Sequence, residues 1–164
     1  MQTSTSTNSF PRLKIAVSDC LRGTECRYNG GHAQDDFVNH HLAKYADFYP
    51  FCPEAAAIGT PRETVRLVGV DDKIKVLGSR STEDFTQGIT EYNNKIIPKL
   101  IEKDIDGAVV KSRSPSCGME RIKVYQPDGQ WYGSRDPMQA GLFTQKLMQD
   151  APHLAIEEEG RLND

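Results

Sequence analysis

Short β-prone runs that alternate with helix-period stretches constrain this chain more than any other feature. Residues 13–18 (Leu-Lys-Ile-Ala-Val-Ser), 48–51 (Phe-Tyr-Pro-Phe) and 105–111 (Ile-Asp-Gly-Ala-Val-Val-Lys) read as strands. Pro50 suits a strand start or a sheet edge. Between the first two runs, Asp35 or Asp36 is placed to cap a helix over about 37–45, with Phe37, His41 or Leu42, and Tyr45 on one face. Ser81 or Thr82 opens the longest helix, about 83–102, where Phe85, Ile89, Tyr92, Ile96 and Leu100 recur at helical spacing. Pro98 is expected to bend its last turn. A final helix is expected over about 140–149. The alternation predicts an α/β fold, a Rossmann-like, mostly parallel sheet flanked by helices. Two β-hairpins are added to it. One covers 64–78 and turns at Asp71-Asp72; the other pairs 122–125 with 130–132 and turns at Pro127-Asp128-Gly129. Residues 1–12 are expected to be a flexible N-terminus and 13–164 a single domain. The acidic stretch 157–164 is expected to be loosely held.

The 164 residues suffice for one domain with a sizeable core. Hydrophobic residues make up 37% and charged residues 26%, which excludes a disordered chain, a collagen and a disulfide miniprotein. No apolar stretch approaches the roughly 20 residues that cross a bilayer. The opening MQTSTSTNSFPR lacks an apolar signal core, so a cytoplasmic protein with no membrane partner is expected. The net charge of −3 provides no overall attraction to nucleic acid or anionic lipid.

The four cysteines, Cys20, Cys26, Cys52 and Cys117, hold the chemical information. In a reducing compartment disulfides are not expected, and inert buried thiols are the plain alternative. Cys20, Cys52 and Cys117, however, each follow a predicted strand directly or one loop later. Open α/β sheets gather ligands at the carboxyl ends of their strands, so these three thiols are expected to converge. Their neighbours are Gly, Pro, Ser and Arg, as in site loops rather than apolar cores. Cys26 lies inside a loop. Structural zinc favours close pairs such as Cys-x2-Cys, and none is present. The adjacent His40-His41 would point about 100° apart on a helix and make no shared ligand pair. A phosphatase-type cysteine loop needs Arg six residues after the Cys, where Cys20 has Cys26. Cys117 beside Arg113 meets the needs of a catalytic thiol only in part. An iron–sulfur cluster accepts thiolates from dispersed segments. On the residues alone, inert thiols, zinc, a nucleophile and a cluster all stay open. So do the plain roles of Glu54 as a solvated loop carboxylate and Ser114-Pro115 as a turn initiator.

The order of motifs says more. Ser18-Asp19-Cys20-Leu21-Arg22-Gly23 with Arg27-Tyr28-Asn29-Gly30, then Cys52-Pro53-Glu54 with Gly59-Thr60-Pro61-Arg62, then Lys111-Ser112-Arg113-Ser114-Pro115-Ser116-Cys117-Gly118, and finally Glu158-Glu159-Gly160-Arg161-Leu162 resemble the thiouracil desulfurase (TudS-like) iron–sulfur domain family. The resemblance runs from about Lys14 to the end of the chain. It implies a 4Fe-4S cluster with three cysteine ligands, mapping to Cys20, Cys52 and Cys117, and one open iron. It implies catalytic roles for Glu54 and Ser114, whereas Cys26 is a departure, because the family pattern does not require a thiol there. The reaction so implied is a non-redox desulfuration in which soft iron polarises a thiocarbonyl. Glu54 would activate water, Ser114 would position it or relay a proton, and backbone amides near Ser116-Cys117-Gly118 would stabilise developing charge. The products are the uracil form and hydrosulfide, a hydrolase or lyase type of C–S cleavage.

Arg22, Arg27, Arg62, Lys111 and Arg113 lie in or beside these motifs. With Tyr28 and Ser116 they form a candidate substrate-binding set. Their charge suits a phosphate, so thiouracil, thiouridine or its monophosphate is the expected substrate. Tyr28 and Trp131 are candidates to stack on the base. Transfer RNA is disfavoured, because no extended basic face or second domain is evident. The rival functions are a cluster-bearing redox sensor or electron carrier, and a zinc-binding module.

Overall fold

Strand β1 (Leu13–Ser18) lies at the centre of a parallel four-stranded sheet with β2 (Ala46–Phe51), β5 (Gly107–Val110) and β8 (Ala155–Glu158), in the order β2-β1-β5-β8. The coordinates are a computed structural model, which describes residues 10–133 and 136–164. Alternate residues of β1 and β5 face opposite sides, as the two-residue period of a strand requires. Ala16, Ala108 and Val110 join Phe51, Ile97, Phe143 and Leu147 in one core cluster. Ile15, Val17 and Val109 join Leu21 and Val38 in another. The central strands are thus covered on both faces, which explains their nearly continuous apolar runs. Pro50 lies on the edge strand β2, opposite Val17, where a missing N–H is tolerated.

Helix α1 (Pro53–Ile58) follows β2 directly. The hairpin β3 (Val65–Val70) and β4 (Lys73–Gly78) comes next, then α2 (Thr86–Glu102). β6 (Ile122–Tyr125) and β7 (Met138–Gln139) complete a second sheet of order β4-β3-β6-β7. Its buried face, Val65, Leu67, Val76, Ile122 and Val124, packs with Ile89 of α2. Helix α3 (Leu142–Asp150) packs against α2, and α4 (Glu159–Leu162) closes the chain. From β1 the chain moves to β2 on one side, then returns to β5 on the other. This reversal at β1 makes the carboxyl end of the sheet the expected ligand crevice.

The α/β architecture matches the expectation, while several local readings are corrected. The segment expected as a helix over 37–45 forms a π turn, Phe37–His41, and a 3₁₀ turn, Leu42–Lys44. Asp35 still caps it, accepting from the Val38 amide at 2.9 Å. The long helix begins at Thr86, whose amide donates to Asp84, because Ser81 is engaged with Glu63. The second hairpin has a different partner: β6 pairs with Met138–Gln139, not with 130–132. Its expected turn does form, with the Gly129 amide on the Gln126 carbonyl. The acidic end is not loose, since Ala155–Glu158 is the fourth strand of the main sheet. The flexible N-terminus falls largely on residues 1–9, outside the described residues. Arg12 is anchored on Asp47 and on the carbonyls of Ala43, Lys44 and Ala46. Among the described residues no helix is long and apolar enough to cross a membrane.

Candidate active site

Three strand ends deliver the cysteines. β1 passes into a 3₁₀ turn, Asp19–Arg22, that buries Cys20 and ends on Gly23 at φ 95°, a left-handed position that favours glycine. Cys52 is the N-cap residue of α1, with Pro53 in the first turn where its missing N–H costs nothing. The Cys52 amide donates to the Tyr92 hydroxyl of α2 at 3.2 Å. After β5, the loop 111–118 carries Cys117, and α3 pins it. The amides of Gly141, Leu142 and Phe143 donate to the carbonyls of Gly118, Pro115 and Ser116, and Thr144 Oγ1 donates to the Cys117 carbonyl at 2.6 Å. The N-terminal amides of a helix have no partners within it, and here the loop carbonyls supply them.

Cys20, Cys26, Cys52 and Cys117 all line one cavity of about 380 Å³, within the range of small-ligand sites. All four are free thiols. The neighbouring Cys20 thiol and burial raise the Cys26 thiol to about 11. Contact with Cys26 and burial push the Cys52 thiol up as well. Burial raises Cys117 to about 12. Such thiols are protonated at neutral pH and become thiolates when a cationic partner compensates the charge. Among the described residues, no three His, Cys, Asp or Glu side chains stand together as ligands for one metal ion. The thiols are distributed around the cavity wall instead.

Glu54, in the first turn of α1, is clamped from both sides. Its Oε2 accepts from Arg62 Nη2 at 3.1 Å, a pair in which both side chains are largely buried. Its Oε1 accepts from the hydroxyls of Ser116 at 2.9 Å and Ser114 at 3.3 Å. Arg62 Nη1 also donates to the carbonyls of Cys26 and Gly59, both at 2.9 Å, which ties the Cys26 loop to the carboxylate. Ser114 Oγ accepts from the amides of Ser116 and Cys117, and the Gly118 amide donates to the Ser114 carbonyl. The amides expected to stabilise developing charge are therefore already engaged within their own loop. This corrects that expectation.

The candidate substrate-binding residues divide. Arg27, Tyr28, Arg62, Lys111, Arg113 and Ser116 line the cavity. Arg22 does not: its guanidinium donates to Asn39 at 2.6 Å and lies 4.3 Å over the Phe48 ring. Lys111 reaches the cavity wall, but its ammonium is paired with Glu159 at 2.7 Å. Arg113 is exposed at φ 61° and stands between this cavity and a neighbouring groove that also carries Arg66, Arg121, Lys123 and Arg161. Trp131 stacks with Lys123 on the second sheet, away from the cavity. Three contributors had no role assigned from sequence. Glu159 sits in the terminal motif, Tyr92 on the apolar stripe of α2, and Cys26 in the first motif region, so each had a visible signal.

A family model described as 2-thiouracil desulfurase matches residues 15–159. An uncharacterized protein of Bacillus subtilis (strain 168), YbbK, is 31% identical over 156 residues, covering 92% of this chain and 98% of that protein. The solved structure of a 4Fe-4S-dependent thiouracil desulfidase, TudS, matches with a TM-score of 0.70 at 27% identity, over 93% of this chain and 94% of that one.

Proposed function

The chain belongs to the 2-thiouracil desulfurase family of enzymes, and we propose that it uses a 4Fe-4S cluster to exchange the thiocarbonyl sulfur of a thiolated uracil for oxygen. The observation that carries this reading is the meeting of buried thiols and a doubly clamped carboxylate on the wall of one cavity. The donor set suits the group, because sulfur ligands from separate segments are what iron–sulfur clusters use. Cys20, Cys52 and Cys117 would hold it. Held by these three thiolates, the cluster would supply a soft Lewis acid for thiocarbonyl sulfur. The electron-carrier and zinc-module alternatives give way to the family's enzymatic character.

The chain's own residues handle water and protons. Glu54 takes a proton from the attacking water through Oε1, the oxygen on the serine side, while Arg62 holds Oε2. Ser114 Oγ accepts two backbone N–H groups, so its own proton is directed to Glu54 or Ser116. It thereby orients the base and offers a path for the proton returned to the departing sulfur. Water and the thiocarbonyl compound give the carbonyl compound and hydrogen sulfide. Atoms balance and no electrons are exchanged. Tyr28 offers a stacking face for the ring.

Arg27 and Arg113 line the cavity, and among the described residues neither guanidinium takes part in an ion pair, which supports a thiouridine monophosphate as the preferred substrate. Transfer RNA is not part of this reading. A reducing cytoplasm suits four free thiols around such a cluster. The test is anaerobic reconstitution with iron and sulfide, followed by assay of thiouracil, thiouridine and thio-UMP for uracil-form product and sulfide. Iron-dependent sulfide release is expected, with thio-UMP giving the lowest KM. A loaded protein that releases no sulfide overturns the desulfurase reading, and equal KM values for thiouracil and thio-UMP overturn the phosphate contact.

A further inference from the structure

The groove beside the active-site cavity has no part in the desulfurase reading. It encloses about 850 Å³ and shares Val65, Ser112, Arg113 and Pro115 with the cavity wall, so the two spaces adjoin along one rim. Its lining is strongly basic. Arg66, Arg113, Arg121, Lys123 and Arg161 stand against two carboxylates, Glu120 and Glu158, in a chain whose net charge is −3. Both carboxylates are already engaged: Glu120 pairs with Arg121 and Arg161, and the buried Glu158 accepts from the Met119 amide at 3.3 Å. Among the described residues, Arg66, Arg113 and Lys123 have no carboxylate partner. Leu67 of β3 and Val124 of β6 are paired and face the core, so alternation turns Arg66 and Lys123, one position earlier on each strand, outward and side by side. Each cation is held over an aromatic ring, Arg66 at 5.2 Å from the Tyr125 centroid and Lys123 at 4.5 Å from that of Trp131. Arg66 makes one long hydrogen bond, from Nη1 to the Gly129 carbonyl at 3.4 Å, so most of its donors are uncommitted. The cations come from separate segments of the chain, which is why no basic run reveals the groove along the sequence.

We propose that this groove binds the sugar–phosphate chain of a short single-stranded oligonucleotide whose thiolated uracil enters the active-site cavity. The inference rests on the desulfurase reading above. A uracil ring seated in the cavity leaves its sugar and phosphate at the rim, where Arg113 stands, and the next phosphates of a chain then fall on Arg66 and Lys123. A mononucleotide would use the rim alone. A base reaches an enclosed cavity only when it is unstacked, which favours a single strand over a duplex. Cations that track phosphates, with aromatic rings beside them, are the recurring device of single-strand sites. A guanidinium meets phosphate oxygens with two parallel bonds, which adds direction to charge. An acidic peptide would match the charge but has no base to place in the cavity.

The test follows the fluorescence anisotropy of a labelled single-stranded oligouridylate with the anaerobically reconstituted protein at rising salt, for wild type, Lys123→Gln and the double variant Arg66→Gln/Lys123→Gln. Wild type is expected to bind, the logarithm of its affinity falling with that of salt by about 0.7 per phosphate contact. The double variant should lower that slope by about 1.4, the share of two contacts, and weaken binding at low salt by about tenfold or more. In turnover, a trinucleotide with thiouridine at its centre should show a higher kcat/KM than thio-UMP, and the double variant should shrink that ratio. Should the double variant fail to fold, Lys123→Gln, at an exposed position, decides by a slope lowered by about 0.7. Absent binding, a slope that the substitutions leave unchanged, equal binding of polyglutamate or of duplex RNA, or a trinucleotide no better than thio-UMP overturns this inference and leaves the desulfurase reading standing. A loaded protein that releases sulfide from neither substrate overturns that reading and this inference with it.

Discussion

At the scale of single residues, Glu54 is distinguished by its company. A carboxylate in a loop motif is by itself compatible with simple solvation, and the fold removes that option by placing Arg62 on one oxygen and two serine hydroxyls on the other. Glu54→Gln is expected to lower turnover by about 10²–10⁴-fold, the usual contribution of a general base. Iron content and the circular dichroism spectrum should stay at wild-type values, and retained activity would show that water is activated elsewhere. Arg22 illustrates the opposite case. It stands two residues after Cys20 in a recognisable motif, yet its guanidinium turns away to Asn39 and the Phe48 ring. Motif membership placed the residue correctly along the chain, and the direction of its side chain came from packing.

At the scale of elements, two supports hold the loop after β5. The first is the start of α3. A Cβ added at Gly141 would lie 2.6 Å from the Ser116 carbonyl oxygen and 2.7 Å from the Cys117 nitrogen, so only glycine fits there without displacing the loop. Gly141→Ala is expected to cost about 1–3 kcal/mol in urea unfolding, the range for overpacking, and to lower iron retention because Cys117 moves with the loop. The second support is α4. Glu159 accepts from Lys111 Nζ at 2.7 Å, the Ser112 amide at 2.8 Å and the Ser112 hydroxyl at 2.7 Å. Burial alone would raise its carboxyl, but the Lys111 ammonium and the Ser112 donors outweigh it and leave Glu159 below the ordinary value. A folded-state pKa below the unfolded one stabilises the fold above the unfolded value of about 4.3. That contribution is lost as pH falls through the folded pKa. The stability gap between wild type and Glu159→Gln should therefore be full at pH 7 and shrink below about pH 4 in thermal melts. A gap independent of pH would rule out the charge-dependent role. The strand that carries α4 into place, Ala155–Glu158, was hidden in the sequence for a physical reason. It is a short edge strand with two glutamates, so it has neither the apolar run of a central strand nor a clear alternation.

At the scale of the whole molecule, the core and the site share residues. Phe51 immediately precedes Cys52, and its ring stacks on Phe143 of α3 with centroids 4.0 Å apart. Cys117 belongs to the same cluster. Phe143→Ala is expected to destabilise the fold by about 3–5 kcal/mol and to impair iron retention before it unfolds the chain, readable as a lower iron content at temperatures where the far-ultraviolet spectrum is native. The strand–helix alternation, the first hairpin, the long helix and the grouping of three cysteines at strand ends were all legible along the chain, because each depends on local period or on immediate neighbours in sequence. The partner of β6, the parallel pairing of the acidic C-terminal strand, the inward turn of Cys26 and the outward turn of Arg22 were not. Each of these depends on surfaces brought together from distant segments: β6 pairs across a turn and a further loop, and Cys26 is aimed by Arg62, 36 residues away. The sequence by itself determined which chemistry was available, since thiols, a carboxylate and serines occupy ordered motifs. Only the tertiary structure decided which of them meet, because convergence at the carboxyl ends of β1, β2 and β5 follows from the parallel pairing and the reversal at β1.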